Sequence, residues 1–156
     1  MRLWRIAAET RDYPADDLSG NGAAHFPGRW NEAGEPVLYC ATTLSLAALE
    51  TTAHLAGALP LDRFVVAIDV PDVVWAARET LDAADLPPAW RAIPAGQASV
   101  RIGSAWLTAG RSAILLVPSV IVPEESVALI NPLHPASRDI RAKALRLFEY
   151  HAVRRD

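Results

Sequence analysis

The apolar residues of this chain fall into short runs kept apart by Pro and Gly, and the runs never settle into a strand–helix–strand repeat. Leu3 to Ala8 reads as a strand with Arg5 set into it, and Val37 to Ala41 as a compact one. Phe64 to Val70 is a β-branched strand, and Val127 to Ile130 a short strand before Asn131-Pro132. Ser112 to Val122 is strongly apolar, but Pro118 has no N–H for a central ladder. A strand to Val117 with an edge or bend after it is therefore expected. Only two windows read as helices. Leu44 to Ala56 follows an N-cap at Thr42-Thr43 and stops near Gly57, before Pro60; Gly96 to Ala109 would bury Val100, Trp106 and Leu107 and stops at Gly110. Glu9 to Gly28 reads as a long loop and Asn31 to Pro36 as a turn. Asp72 to Ile93 is mixed and broken by Pro87-Pro88, and Asp139 to Tyr150 fits strand or helix. Strands separated by two helices, without regular alternation, predict a mixed α/β or α+β domain and not a doubly wound sheet. Gly20-Asn21-Gly22 does not continue into a dinucleotide fingerprint, since no Gly follows three residues after Gly22.

The length of 156 residues suits one domain, 1–156, and with half of it apolar the chain can bury a real core. A formal charge of −3 argues against general affinity for nucleic acid or anionic membranes. Fourteen of the fifteen basic residues are Arg, which suits phosphate and carboxylate, although high-GC codon usage produces the same excess. The single cysteine, Cys40, permits no intramolecular disulfide and fits a reducing compartment. Met1 to Arg5 reads directly into a strand pattern without a signal-peptide core, and no run is long enough to span a bilayer, so a cytoplasmic location is expected.

Four places can carry chemistry. Arg29 follows Pro27-Gly28, so a turn places its backbone and its guanidinium can grip a pyrophosphate. From spacing alone, a surface Arg beside a core Trp30 accounts for it equally well. Tyr39 ends a strand that runs straight into a helix, where it can stack on a flat ring and offer its hydroxyl; an ordinary core Tyr fits as well. Glu50 sits among Leu46, Ala47 and Ala53 on a mostly apolar stripe, where a carboxylate is costly unless paired or used. Pairing with a nearby Arg is the plain alternative, and His54, one turn on, reads by itself as a satisfied histidine. Ser119 follows Val117-Pro118 and can present its hydroxyl at a cleft edge, or simply form a turn. It lacks the G-x-S-x-G elbow of an acylating nucleophile. Asn131, in the rigid Ile130 to Pro135 loop, suits an Asx-turn more than ligand binding. One Cys and scattered His give no metal-ligand spacing, so no metal is expected.

Together these segments resemble the RES domain family, named for Arg, Glu and Ser positions. Leu3-Trp4-Arg5-Ile6 matches its opening strand, Gly28 to Asn31 its Gly-Arg-Trp-Asn turn, and Gly34 to Tyr39 its Gly-x-Pro-Val-x-Tyr stretch. Ala47, Glu50 and His54 match its Ala-x-x-Glu helix with a His one turn later. Pro118-Ser119 and Asn131 to Pro135 match its Pro-Ser and Asn-Pro-x-His-Pro segments. The motifs follow the family's order. Asp72 to Ala95 matches nothing in it, and the tail departs from the family's short terminal strand.

The resemblance implies a compact α+β domain similar to the ADP-ribosyltransferase toxins, and a toxin that cleaves the nicotinamide–ribose bond of NAD⁺. ADP-ribose would pass to a protein side chain, water or phosphate. The implied partner is an Xre-like helix-turn-helix antitoxin that covers the active site, with no direct contact of the toxin to nucleic acid. Breaking this bond passes through an oxocarbenium-like state. The implied roles are Glu50 stabilising that charge, Arg29 holding the phosphates with Arg5 as a second clamp, Tyr39 stacking, and Ser119 bonding a ribose or supporting Glu50. Trp30, Asn31, His54 and Asn131 would complete the NAD⁺ contacts. Two other classes compete: a nucleotide sensor that binds without cleaving, and a protein-interaction or DNA-associated subunit. For the latter, residues 137–156 hold six basic and three acidic side chains against nine and fifteen in 1–136, although a solvated face explains this better.

Overall fold

The short apolar runs assemble into one seven-stranded sheet in the computed structural model, which describes residues 1–55 and 59–153. In chain order the strands are β1 (Arg2–Ala8), β2 (Leu38–Ala41), β3 (Arg63–Asp69), β4 (Glu79–Thr80), β5 (Ile114–Pro118), β6 (Ser126–Ile130) and β7 (Arg141–Leu147). They lie in the order β4-β5-β6-β2-β1-β3-β7, with every neighbouring pair antiparallel except β4 and β5. The helices are α1 (Asn21–His25), α2 (Leu44–Ala53), α3 (Asp72–Ala76) and α4 (Gln97–Ala109). This is the mixed class that the irregular alternation predicts.

Strand alternation sends Leu3, Ala7, Ile114, Leu116, Ala128 and Ile130 to one core and Leu115, Val117 and Leu129 to another. Both faces are therefore buried, which is why β5 reads as an unbroken apolar run. Val74 of α3 closes the first face; Trp106 of α4, with Trp30 and Trp90, closes the second. α2 lays Leu46 and Ala47 against Ala41, Trp4 and Ile6. A Cβ at Gly103 would overlap the Trp30 carbonyl oxygen, so α4 rests directly on the backbone of the 23–35 loop.

Pro118 proves to be the last residue of β5. Ser119 N–H donates to the Glu125 carbonyl on the β6 side, so position 118 aims its nitrogen the other way, past the two-residue β4. No ladder partner is lost.

Four expectations are amended. The 9–28 loop contains α1, started by Gly20 at φ 72°, where a Cβ would meet Val37 N at 2.7 Å; Gly20 is a packing glycine. The 72–95 stretch holds α3, β4 and two 3₁₀ turns, Ala83–Asp85 and Pro88–Arg91. The tail is strand, not helix: β7 pairs with β3 along the sheet edge, and its seven residues exceed the short terminal strand the resemblance implies. α2 ends at Ala53 with His54 as its C-cap, short of Ala56, and the expected stop at Gly57 lies outside the described residues.

The feature that creates a site is a split in the sheet. β1 pairs with β3 along all seven of its residues but meets β2 at one pair only, Trp4 with Ala41. Beyond that pair the two strands part.

Candidate active site

A cavity of about 1140 Å³ opens where β1 and β2 diverge. Trp4, Arg5 and Ile6 line it from β1, and Tyr39, Cys40 and Ala41 from β2. Trp4 and Ala41 are the paired residues, and Arg5, Ile6, Tyr39 and Cys40 lie beyond them, where the ladder has opened. The remaining walls come from the loop at 26–33, from α2, from residues 93–97 and from the turn after β5. Small-molecule sites run to about 1,000 Å³, so an extended, dinucleotide-sized ligand fits the space.

Glu50 enters from the last turn of α2, a helix capped by Thr43, whose side chain accepts from Leu46 N. Ser119 Oγ donates to Glu50 Oε1 at 2.6 Å and accepts from the N–H groups of Ile121 and Val122, both at 3.1 Å. The hydroxyl, only 1% exposed, is thus fully engaged and holds one carboxylate oxygen. Among the described residues Glu50 has no ion-pair partner within salt-bridge distance.

Arg29 lines the same cavity. Its Nη1 donates to the carbonyls of Trp90 and Ala92, both at 2.8 Å. Its Nε and Nη2 make no hydrogen bond among the described residues, which leaves donors for an anion. Burial pulls the guanidinium below its usual value, while the charge of Glu50 and then Tyr39 oppose that shift. Arg29 and Glu50 thus line one cavity and interact electrostatically without forming a direct pair.

Tyr39 stands behind Arg29. Its hydroxyl accepts from Trp30 N–H at 2.9 Å and donates to Asn31 Oδ1 at 2.8 Å, and its ring packs on Gly28, where a Cβ would meet Tyr39 Cζ at 2.7 Å. Burial raises the phenol well above its ordinary range, against the Trp30 bond and the Arg29 charge, so it stays neutral. Its hydroxyl is committed to the loop, leaving only the ring for a ligand.

The other expected contacts divide. Arg5 lines the cavity and donates to the Asp17 carbonyl at 3.2 Å; His54 lines it with Nδ1 2.7 Å from the Glu50 carbonyl. Asn31, 1% exposed, also accepts from Gly28 N–H and donates to the carbonyls of Ala23, Glu32 and Glu35, so its amide organises the loop. Trp30 is buried against Trp90, ring centroids 6.1 Å apart. Asn131 is not brought to the cavity. Its Oδ1 accepts from Leu133 N–H at 3.0 Å, an Asx-turn, and its Nδ2 reaches the Leu107 carbonyl. Cys40 lines the cavity, but burial pushes its thiol up to about 12, against the nearby Arg5 charge, which disfavours the thiolate.

Sequence reasoning missed the 90–97 segment, which supplies both carbonyls to Arg29 and places Ile93, Pro94, Ala95 and Gln97 on the cavity. It also missed Thr51 and Ile121. No motif marks these positions. No group of three or more His, Cys, Asp or Glu suited to a metal occurs among the described residues, and no described helix is long and apolar enough to cross a membrane.

Fold and site define a mixed α+β domain whose sheet opens into a cavity lined by a guanidinium and a carboxylate. The chain belongs to the RES domain family, which matches residues 2–151. It is 51% identical over 149 residues to the "Prs ADP-ribosylating toxin" of Sphingobium sp. (strain YBL2), covering 95% of this chain and 92% of that one. A "Toxin Res" of Yersinia enterocolitica is 38% identical, with 86% of each chain covered. Among solved structures, the M. tuberculosis MbcT–MbcA toxin–antitoxin complex contains a chain with the same fold, TM-score 0.64, 19% identity, covering 97% of this chain and 85% of that one.

Proposed function

We propose that this protein is a toxin that cleaves the nicotinamide–ribose bond of NAD⁺ and passes ADP-ribose to a protein acceptor. The observation that carries this reading is the cavity itself, which sets a carboxylate fixed by Ser119 against an arginine with unused donors. As the C–N bond breaks, nicotinamide leaves neutral and positive charge builds on the ribose. Glu50 stabilises that charge, and a fixed carboxylate does so without reorganising. Arg29, with Arg5 further along the split, holds the pyrophosphate. The Tyr39 ring packs against the nicotinamide end, and His54 borders the ribose side. Ser119 orients Glu50 and leaves the ribose to others, since its hydroxyl is fully used.

The name of the Sphingobium relative supports transfer to protein over simple NAD⁺ degradation, and makes Prs the first acceptor to try. The toxin–antitoxin neighbour supports an antitoxin partner, for which an Xre-like helix-turn-helix protein covering the cavity is the reading we favour. Phe26 and Ile93, 85% and 82% exposed on the cavity rim, offer it apolar contact.

The test is mass spectrometry of the products from labelled NAD⁺, with and without phosphate, Prs and cell lysate. A labelled protein and free nicotinamide are expected. Free ADP-ribose or a phosphorylated sugar nucleotide alone would replace transfer by degradation. Intact NAD⁺ under every condition would leave a binding module.

A further inference from the structure

Glu50 sits on a helix that is seated at one end only. The buried residues of α2, Leu46 and Ala47, both lie in its first turn, whereas Glu50 begins its last. Ser119 holds the carboxylate but not the backbone that carries it. A second hold comes from the far end of the chain. The hydroxyls of Thr51 and Tyr150 lie 3.1 Å apart across 99 residues of sequence. Tyr150 is 2% exposed, and its ring meets Phe148 edge-on at 4.8 Å. Phe148 N–H donates to the Arg63 carbonyl at 2.8 Å, which ties the segment to the start of β3. Thr51 also lines the cavity, beside Glu50. A buried tyrosine hydroxyl needs a partner, and the one it finds is on the helix that carries the acid.

We infer that Tyr150 is a positioning residue: through Thr51 it pins the last turn of α2 to the sheet, so that Glu50 keeps its place opposite Arg29. The inference rests on the role given to Glu50 above. It assigns the terminal segment after β7 to the site, although none of its described residues, 148–153, lines the cavity. Loss of the pin leaves the cavity walls and Arg29 intact, so NAD⁺ still binds, but the carboxylate wanders and turnover falls.

The test uses the full-length protein with Tyr150→Phe, Thr51→Val, the double variant and Thr51→Ser. Two quantities are read: amide hydrogen exchange at residues 50–53, and kcat and KM for nicotinamide release from NAD⁺. Tyr150→Phe and Thr51→Val should each speed exchange there and lower kcat by about three- to tenfold, the range of one net hydrogen bond. In Tyr150→Phe, KM should stay within about twofold, because Tyr150 does not line the cavity. The double variant should be no worse than either single one, and Thr51→Ser, which keeps the hydroxyl, should behave like the parent. Unchanged exchange at 50–53 in Tyr150→Phe would overturn the inference, as would losses that multiply in the double variant or fall on KM alone. If the parent protein releases no nicotinamide, the reading of Glu50 fails, and the exchange measurement still decides whether the pin exists.

Discussion

Arg29 and Glu50 line one cavity but are secured by different means. Around Arg29 the loop is over-determined: the Asn31 amide bridges Gly28, Ala23, Glu32, Glu35 and the Tyr39 hydroxyl, and α4 presses on the Trp30 backbone at Gly103. Around Glu50 the supports are single contacts, namely the Thr43 cap, the Ser119 hydroxyl and the Thr51–Tyr150 pair. A network of buried polar bonds fixes a shape and fails as a whole. Single contacts fix one group and fail one at a time. The difference teaches that damage on the arginine side should appear first as lost stability, and damage on the acid side as lost rate.

The largest stability loss should follow Asn31→Ala, which removes five hydrogen bonds of the loop at once. About 3–4 kcal/mol is expected from the lost bonds, several of them to half-buried groups, measured by denaturant unfolding; a loss below about 1 kcal/mol would show that the loop is not a network. Gly103→Ala comes next at about 2–3 kcal/mol, because the new Cβ meets backbone that cannot yield. On the acid side, Ser119→Ala should cut kcat for nicotinamide release by about tenfold with little change in KM, since it frees one carboxylate oxygen. A pure KM effect would instead return Ser119 to the ribose. Arg29→Lys keeps the charge but loses the fork, and should raise KM for NAD⁺ by about tenfold while sparing kcat. The smallest change is Thr43→Ala, about 1 kcal/mol in thermal unfolding from the lost helix cap.

Much of the fold could be read from the chain because β1, β2, β3, β5 and β6 each carry their own β-branched or apolar run, and Thr43 and Gly110 mark helix ends by local chemistry. α1 could not be read, for its five residues bury nothing and its start depends on Gly20 packing against Val37. The tail was ambiguous because β7 is an edge strand with one face toward solvent, so Arg141, Lys143 and Arg146 dilute its pattern. At the site, Arg29, Tyr39, Glu50 and Ser119 were all singled out, and all four line one cavity. The support of Arg29 by the carbonyls of Trp90 and Ala92 was not legible, since backbone acceptors leave no trace in residue identity. Asn131 shows the limit of the motif match: its side-chain hydrogen bonds turn to its own loop and α4, the Asx-turn that its residue type favours, and not to the cavity.

The central claim is that Glu50 and Arg29 act on the same dinucleotide from opposite walls. Its most direct test is nicotinamide release from NAD⁺ by the parent protein and by Glu50→Gln, with folding of both checked by thermal melting. The account predicts turnover by the parent and a loss of about 10²–10³ in the variant, the range for removing one preorganised electrostatic contact. Equal rates from two equally folded proteins would contradict it.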